Sequence, residues 1–393
     1  MKASERSVGI LSYGLMVMTV THTLTHVFQR IHLALFPIIK KEFNLSLQQL
    51  GIIAALPFLC QALLGIPTGL LSDRFGSKRM IVASFALAIL GSLIASFTLT
   101  PEMLTVAVCL VYINTVIYHP ASYSFTTRMF GPRDRSRALG IHGAGGTLGM
   151  ALGPISVSIL MGVFALGWRQ VYLFWALPIL LGIIAVLRLR SEPVRDVGVE
   201  EGASGRGDGG SIFTSSMILF LVYTGFRNMA AQMIEVFLPI YLVENRGLGE
   251  TLASLVFGSS SLLGLVAAPI GGAVASRLGD KRWLMIALGS AYICLGAAVL
   301  SPSVLGFVAL YLAYGFCNTL GMAANSAIVA SLSPSRRRGL GYSLFFLPGE
   351  VMGVVAPVIA AYIASGFGLT SVFVIGLAIY LGGLAVLKVG VRV

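Results

Sequence analysis

Twelve apolar stretches of about 20 residues or more divide the sequence, at residues 8–38, 47–71, 79–99, 103–129, 138–164, 169–188, 213–243, 251–276, 282–300, 304–331, 339–366 and 368–388. A helix rises about 1.5 Å per residue, so each stretch can cross the roughly 30 Å of hydrocarbon in a bilayer. Backbone polar groups find no water at that depth, and segments of this length satisfy them as helices rather than as barrel strands. Only 11% of the residues are charged and 56% are hydrophobic, against about 25% charged in a soluble domain. Too few charges remain to coat a water-facing surface. The expected fold is an all-α membrane protein with twelve transmembrane helices.

The net charge of +12 points to orientation rather than to nucleic acid. Of the 27 Lys and Arg, 21 fall in the termini and in alternate loops, among them Arg74, Lys78, Arg79, Arg277, Lys281 and Arg282. The opposite loops hold four, Lys40, Lys41, Arg169 and Arg246, and Arg30 and Arg227 lie inside apolar segments. The positive-inside rule then expects a cytoplasmic (inner) membrane protein with both termini in the cytoplasm. No cleavable signal peptide is read before the first segment. Cys60, Cys109, Cys294 and Cys317 all lie in apolar runs without metal-like spacing and read as small core residues.

The chain repeats itself. Arg74 and Gly76 recur as Arg277 and Gly279, Phe36-Pro37-Ile38 as Leu238-Pro239-Ile240, and Arg137-Ala138-Leu139-Gly140 as Arg338-Gly339-Leu340-Gly341, at offsets of 201 to 203. Residues 191–212, rich in Gly and mixed charge, read as a flexible cytoplasmic linker. The expected domains are an N-terminal six-helix half (1–190), this linker and a C-terminal six-helix half (213–393).

Between the second and third segments stands a charged turn in which Gly69, Leu71, Asp73, Arg74, Gly76, Lys78 and Arg79 follow the pattern Gly-x-Leu-x-Asp-Arg-x-Gly-x-(Arg/Lys)-(Arg/Lys). This resembles the cytoplasmic signature of the major facilitator superfamily. The resemblance covers essentially the whole chain and implies two six-helix repeat halves around a central cavity near the membrane midplane. It also implies that Asp73, with Arg74, Gly69, Gly76 and Arg79 around it, acts as a gate. Asp73 is expected to latch the inner ends of the helices near the N-terminal end of the eleventh, and the second copy has Ser276 in its place. In the fifth segment, Gly140, Gly149 and Gly153-Pro154 resemble the export-associated motif of drug:proton antiporters, with Val157-Ser158 where a Gly-Gly usually stands. Physically, such small residues also serve close helix packing. The fourth segment lacks the Arg usual in antiporters, and Tyr118-His119-Pro120 with the 24–50 region is similar to the fosmidomycin-resistance branch.

Ionisable groups at bilayer depth cost a few kcal/mol, about 2.5–3.5 on insertion scales, and ordinarily face a cavity or a partner. Arg30 and Arg227, on repeat-related segments that line the cavity in the resembling family, are candidates to bind an anion bidentately. Pairing with a nearby carboxylate is the plainer reading. Glu350 and Glu235 are the candidates for proton coupling. His22, His26, Gln29 and Arg30 fall on one face of the first helix and are expected to line the cavity. His22 and His26 have the i, i+4 spacing of a metal pair, and His119 and His142 are available to complete it. No helical Asp or Cys does so, and no metal is assigned. Asn114, His119 and Asn318 are further candidate substrate contacts.

No catalytic constellation, P-loop or nucleotide-binding domain is present, so no enzyme activity, cofactor, nucleotide or nucleic-acid partner is expected. The expectation is a secondary transporter, functional as a monomer in the lipid bilayer, that moves a small organic, anionic substrate with protons by symport or antiport. Three alternatives stand beside it. One is a broad drug:proton antiporter for apolar or cationic compounds. Another is a membrane protein handling metal through the first-segment histidines, and the third is a sensor on the same fold.

Overall fold

The computed structural model describes residues 12–189, 212–334 and 338–392. The expected linker therefore lies outside the described residues except for Ile212, as do the amino-terminal residues ahead of Ser12. Among the described residues there are thirteen α-helices and no strand. They are α1 (Tyr13–Glu42), α2 (Leu47–Phe75), α3 (Ser77–Ser96), α4 (Pro101–Met129), α5 (Pro132–Gly162), α6 (Trp168–Leu187), α7 (Ser215–Glu244), α8 (Glu250–Leu278), α9 (Asp280–Leu300), α10 (Val304–Leu320), α11 (Met322–Leu332), α12 (Arg338–Phe367) and α13 (Leu369–Gly390).

Among the described residues, eleven spans are long and apolar enough to cross a membrane, one of them formed by α10 and α11 together. The twelfth crossing is α1, a 30-residue helix whose polar stripe lowers its hydropathy. The tenth expected segment is thus one span interrupted at Gly321. The Leu320 carbonyl lies at this interruption and meets two other helices. The Trp283 indole N–H donates to it at 3.0 Å, and Gly271, which has no side chain, lets it approach α8 closely.

The structure divides into two compact units. Of the described residues, one comprises 12–32 and 60–189, the other 33–59, 212–334 and 338–392. In the first unit α3 packs on α4 and α6, and α5 packs on α4 and α6. In the second, α9 packs on α10 and α13, and α7 packs on α12 and α13. Large rings fill both interiors, among them Tyr112, Tyr118 and Phe85 in the first and Tyr223, Phe237 and Tyr380 in the second.

The charged turns show the repeat at atomic detail. Gly76 (φ 81°) ends the α2–α3 junction and Gly279 (φ 84°) the α8–α9 junction, left-handed conformations that favour glycine. Two residues beyond each glycine stands a lysine. Lys78 donates to the carbonyls of Leu187 and Leu189 at 2.8 and 2.6 Å, and Lys281 to those of Lys388 and Val391 at 3.0 and 2.5 Å. Each lysine therefore closes the C-terminal end of the last helix of its own unit, where the helix dipole favours a cation. The opposite loops do similar work. Arg169 donates to Thr98 O beyond α3, Arg246 to Ala298 O, Val299 O and Ser301 O at the end of α9, and Lys40 pairs with Glu244.

Candidate functional site

The polar face of α1 divides into groups satisfied by the helix itself and groups that reach elsewhere. The hydroxyls of Thr19, Thr21, Thr23 and Thr25 donate to carbonyls one turn earlier, at 2.8–3.1 Å. His22 and His26 reach outward, and Gln29 stays on α1 behind His26. His26 Nδ1 lies 2.9 Å from Gln29 Oε1, and His22 Nδ1 lies 2.7 Å from the backbone carbonyl of His142 on α5. From α4, His119 brings its Nε2 to 3.2 Å from His22 Nε2 and 3.3 Å from His26 Nε2, while the latter two are 3.1 Å apart. Three imidazole nitrogens thus meet at one point. His22 and His26 are buried and His119 is half-buried. His142 stays outside this group: its ring stacks on His22 at 4.2 Å and its nitrogens approach Met18 O and Ser122 Oγ.

Two features hold the meeting point. Pro120, directly after His119, removes the N–H that Val116 O would accept, and Thr68 Oγ1 on α2 donates to that carbonyl at 3.4 Å. On α5, Gly145, Gly149 and Gly153 form an i, i+4, i+8 stripe against the carbonyls of Thr19, Thr23 and Val27 on α1, which have the same spacing. A Cβ on Gly145 or Gly153 would stand 2.5 or 2.6 Å from its carbonyl, and one on Gly149 would overlap Thr23 O. Gly146, beside the stripe, faces the imidazoles, and a Cβ there would come within 2.8 Å of His22 Cε1 and 3.0 Å of His26 Cδ2. Of the glycines in the fifth-segment motif, Gly149 and Gly153 pack on α1, whereas Gly140 has open space around it. Pro154 sits inside α5 directly after Gly153.

In the second unit Arg227, thirteenth residue of the 30 in α7, is half-buried. Its Nη2 donates to Asn318 Oδ1 on α10 at 3.3 Å, and its Nε finds no hydrogen-bond partner. Four tyrosines lie within electrostatic reach of it, Tyr223 on its own helix, Tyr292 on α9, Tyr314 on α10 and Tyr380 on α13. Tyr292 stacks on Tyr380 at 4.4 Å, and the Tyr314 and Tyr380 hydroxyls are 2.9 Å apart. Sequence reasoning found Arg227 and Asn318 but not this box, because its rings come from four helices with no local pattern among them. Glu350 is also thirteenth in a 30-residue helix, α12, which packs on α7, and its Oε2 is buried without a partner.

The remaining candidates are placed as follows. Arg30 reaches Met150 Sδ on α5 at 3.8 Å. Glu235 lies half-buried on α7, two turns beyond Arg227. Asn114 on α4 is fully buried with neither end of its amide bonded. In the turn, Arg74 and Arg79 are exposed, a Cβ on Gly69 would meet nothing, and Arg74 lies 5.6 Å from the Phe75 ring. The side chain of Asp73 lies outside the described residues.

Comparisons with known proteins follow this architecture. The sequence profile of the Major Facilitator Superfamily matches residues 18–304 and 216–392. The sialic acid transporter NanX of Escherichia coli is 25% identical over 365 residues, spanning 90% of this chain and 87% of that protein. The probable nitrate transporter NarT of Staphylococcus epidermidis is 23% identical over 355 residues, spanning 88% and 87%. Among solved structures, a bacterial homologue of the human lysosomal transporter Spinster, inward-facing and occupied, aligns with a TM-score of 0.81 at 17% identity over 96% of both chains. The nucleoside transporter NupG aligns with a TM-score of 0.78 at 13% identity over 97% of this chain and 100% of that one. Identities this low speak for the fold alone. With a profile match over most of its length and an all-helical, multi-pass membrane architecture, the chain belongs to the Major Facilitator Superfamily of transporters.

Proposed function

We propose that this protein moves a small organic anion across the cytoplasmic membrane by alternating access, coupled to protons. The observation that carries the reading is Arg227: a guanidinium midway along a membrane helix, bonded to one amide, within electrostatic reach of four tyrosines and left with an unpartnered Nε. A fixed cation with spare donors at that depth is suited to a carboxylate, phosphonate or nitrate oxygen. Sialic acid and nitrate, the solutes named for two relatives, are both anions. Within the same unit Asn318 supplies a neutral polar contact beside Arg227. Glu350, with its unpartnered buried oxygen, is the first choice for the proton carrier and Glu235 the second. The moving bodies are the two sequence halves, 1–190 and 213–393, joined by 191–212. Asp73 and its turn form the cytoplasmic gate, both termini lie in the cytoplasm, and the monomer is the working unit.

The test is uptake into proteoliposomes of labelled nitrate, sialic acid and a small phosphonate, with and without a pH gradient. At least one anion should accumulate with the gradient. Arg227→Ala should reduce that uptake about 100-fold, the loss of one or two charge-assisted hydrogen bonds at roughly 1.5–3 kcal/mol each. Glu350→Gln should leave facilitated flux but remove gradient-driven accumulation. A panel in which no anion moves, or in which Arg227→Ala transports normally, defeats the anion reading. Full accumulation in both Glu350→Gln and Glu235→Gln defeats proton coupling by these residues. A second reading, export of apolar or cationic drugs, is favoured by Gly149 and Gly153-Pro154 on α5. It predicts drug flux that survives both Arg30→Ala and Arg227→Ala.

A further inference from the structure

We propose that His22, His26 and His119 form a binding site for one divalent transition-metal ion of the zinc type, within the first unit. The sequence expectation assigned no metal here, and this inference stands whether or not the chain carries anions.

The geometry leads. The three Nε2 atoms form a triangle with sides of 3.1, 3.2 and 3.3 Å. Zinc binds imidazole at about 2.0–2.1 Å in tetrahedral sites, which sets adjacent ligand nitrogens about 3.3–3.4 Å apart. The triangle matches one face of that tetrahedron with almost no movement, and an ion just off its plane reaches all three nitrogens.

The hydrogen bonds behind the rings point the same way. The His142 carbonyl can only accept, so His22 carries its hydrogen on Nδ1, 2.7 Å away, and presents a lone pair on Nε2. Gln29 Oε1 plays the same part for His26 at 2.9 Å. His119 turns its own Nε2 toward both, at 3.2 and 3.3 Å. Two such lone pairs 3.1 Å apart repel one another unless a proton or a cation lies between them. Outer hydrogen bonds that fix the tautomer and aim the free nitrogen inward are the usual second shell of a metal-binding histidine. The rings also have little room to turn away, since Gly146 packs against His22 and His26 and His142 stacks on His22.

The ligand set names the class of ion. Three neutral imidazoles suit Zn²⁺, Co²⁺, Ni²⁺ or Cu²⁺ and disfavour Mg²⁺ and Ca²⁺, which take oxygen ligands. Among the described residues the cluster contains only these three histidines, so one coordination position stays open, as in zinc sites that exchange a ligand. His119, the one half-buried member, marks the side from which an ion or a fourth ligand enters.

The test uses the purified full-length protein in detergent, affinity tag removed, stripped with a chelator and titrated with Co²⁺ and then Zn²⁺. One Co²⁺ per chain should bind and give the intense visible bands of a tetrahedral site, and one equivalent of Zn²⁺ should bleach them. His119→Ala should abolish the bands and weaken Zn²⁺ binding more than about 100-fold. Gln29→Ala, which removes only an outer hydrogen bond, should keep the bands and lose about 10–100-fold in affinity. The wild-type titration decides without any variant having to fold. If wild type takes up no stoichiometric cobalt, the triangle holds only protons and the proposal is overturned. Bands that persist unchanged in His119→Ala place the metal elsewhere and overturn it as well.

Discussion

Helices α1 and α7 occupy corresponding places in the repeat, yet each buries polar chemistry of the opposite kind. On α1 acceptors converge: His22 and His26 meet His119 of α4, and the carbonyls of His142 and Gln29 sit behind the first two rings. On α7 a donor stands in excess: Arg227 has one amide acceptor, a box of hydroxyl-bearing rings and a spare N–H. The supporting helices differ too. The histidines lean on α4 and α5, whereas the Arg227 box is built from α9, α10 and α13. Duplication therefore fixed the scaffold and left the chemistry free to diverge. What both halves retain is the frame: a left-handed glycine at the turn and a lysine closing the last helix.

The contrast extends to how tightly helices cross, and this gives the prediction with the largest effect. Gly149 on α5 and Gly353 on α12 lie on repeat-related helices, though not at equivalent positions. A Cβ on Gly149 would strike the Thr23 carbonyl, which belongs to a helix backbone and cannot swing aside. On Gly353 it would strike the ring of Phe58, a half-exposed side chain that can. Gly149→Ala should cost about 1–3 kcal/mol by overpacking, or roughly 2–10 °C in unfolding midpoint, and Gly353→Ala less than half of that. Thermal unfolding in detergent reads the difference, and equal losses would remove the asymmetry between the halves.

The next effect lies in the charged turn. Ser276, in the place corresponding to Asp73, is exposed and donates only to Ala273 O of its own helix at 2.8 Å. Nothing in that bond reaches beyond α8. Asp73→Asn should slow transport about tenfold, in line with the up to about 2 kcal/mol a carboxylate gains at a partly buried helix N-terminus. Ser276→Ala should change transport less than twofold, within the roughly 0.5 kcal/mol typical of surface changes. Initial rates in proteoliposomes separate the two, and equal rates would end the one-sided latch.

How much of this was legible beforehand follows from the range of each signal. Span number and helical class were readable because each apolar run carries its own evidence. The interruption at Gly321 was not, and the groups that meet the Leu320 carbonyl there, Trp283 and Gly271, come from other helices. His22 and His26 announced themselves by spacing on one helix, and His119 was visible as a companion. That three Nε2 atoms meet within about 3 Å needed the crossing of α1 and α4, which no single segment encodes. The four tyrosines around Arg227 lie too far apart in sequence to form a motif. Lys78 and Lys281 were read as orientation signals, and each also caps a helix more than a hundred residues away.

Those lysines give the smallest effect and the point at which the comparison should vanish. Lys78→Met removes two donors from the carbonyls of Leu187 and Leu189, and Lys281→Met removes two from those of Lys388 and Val391. The lost carbonyl partners lie at helix ends next to water, which can replace them, so each change should cost about 1 kcal/mol, or roughly 2–4 °C. The two shifts should agree within about 1 kcal/mol in thermal unfolding, because the same device closes both units in the same geometry. A large loss for one lysine alone would mean that the frame, like the chemistry inside it, has diverged.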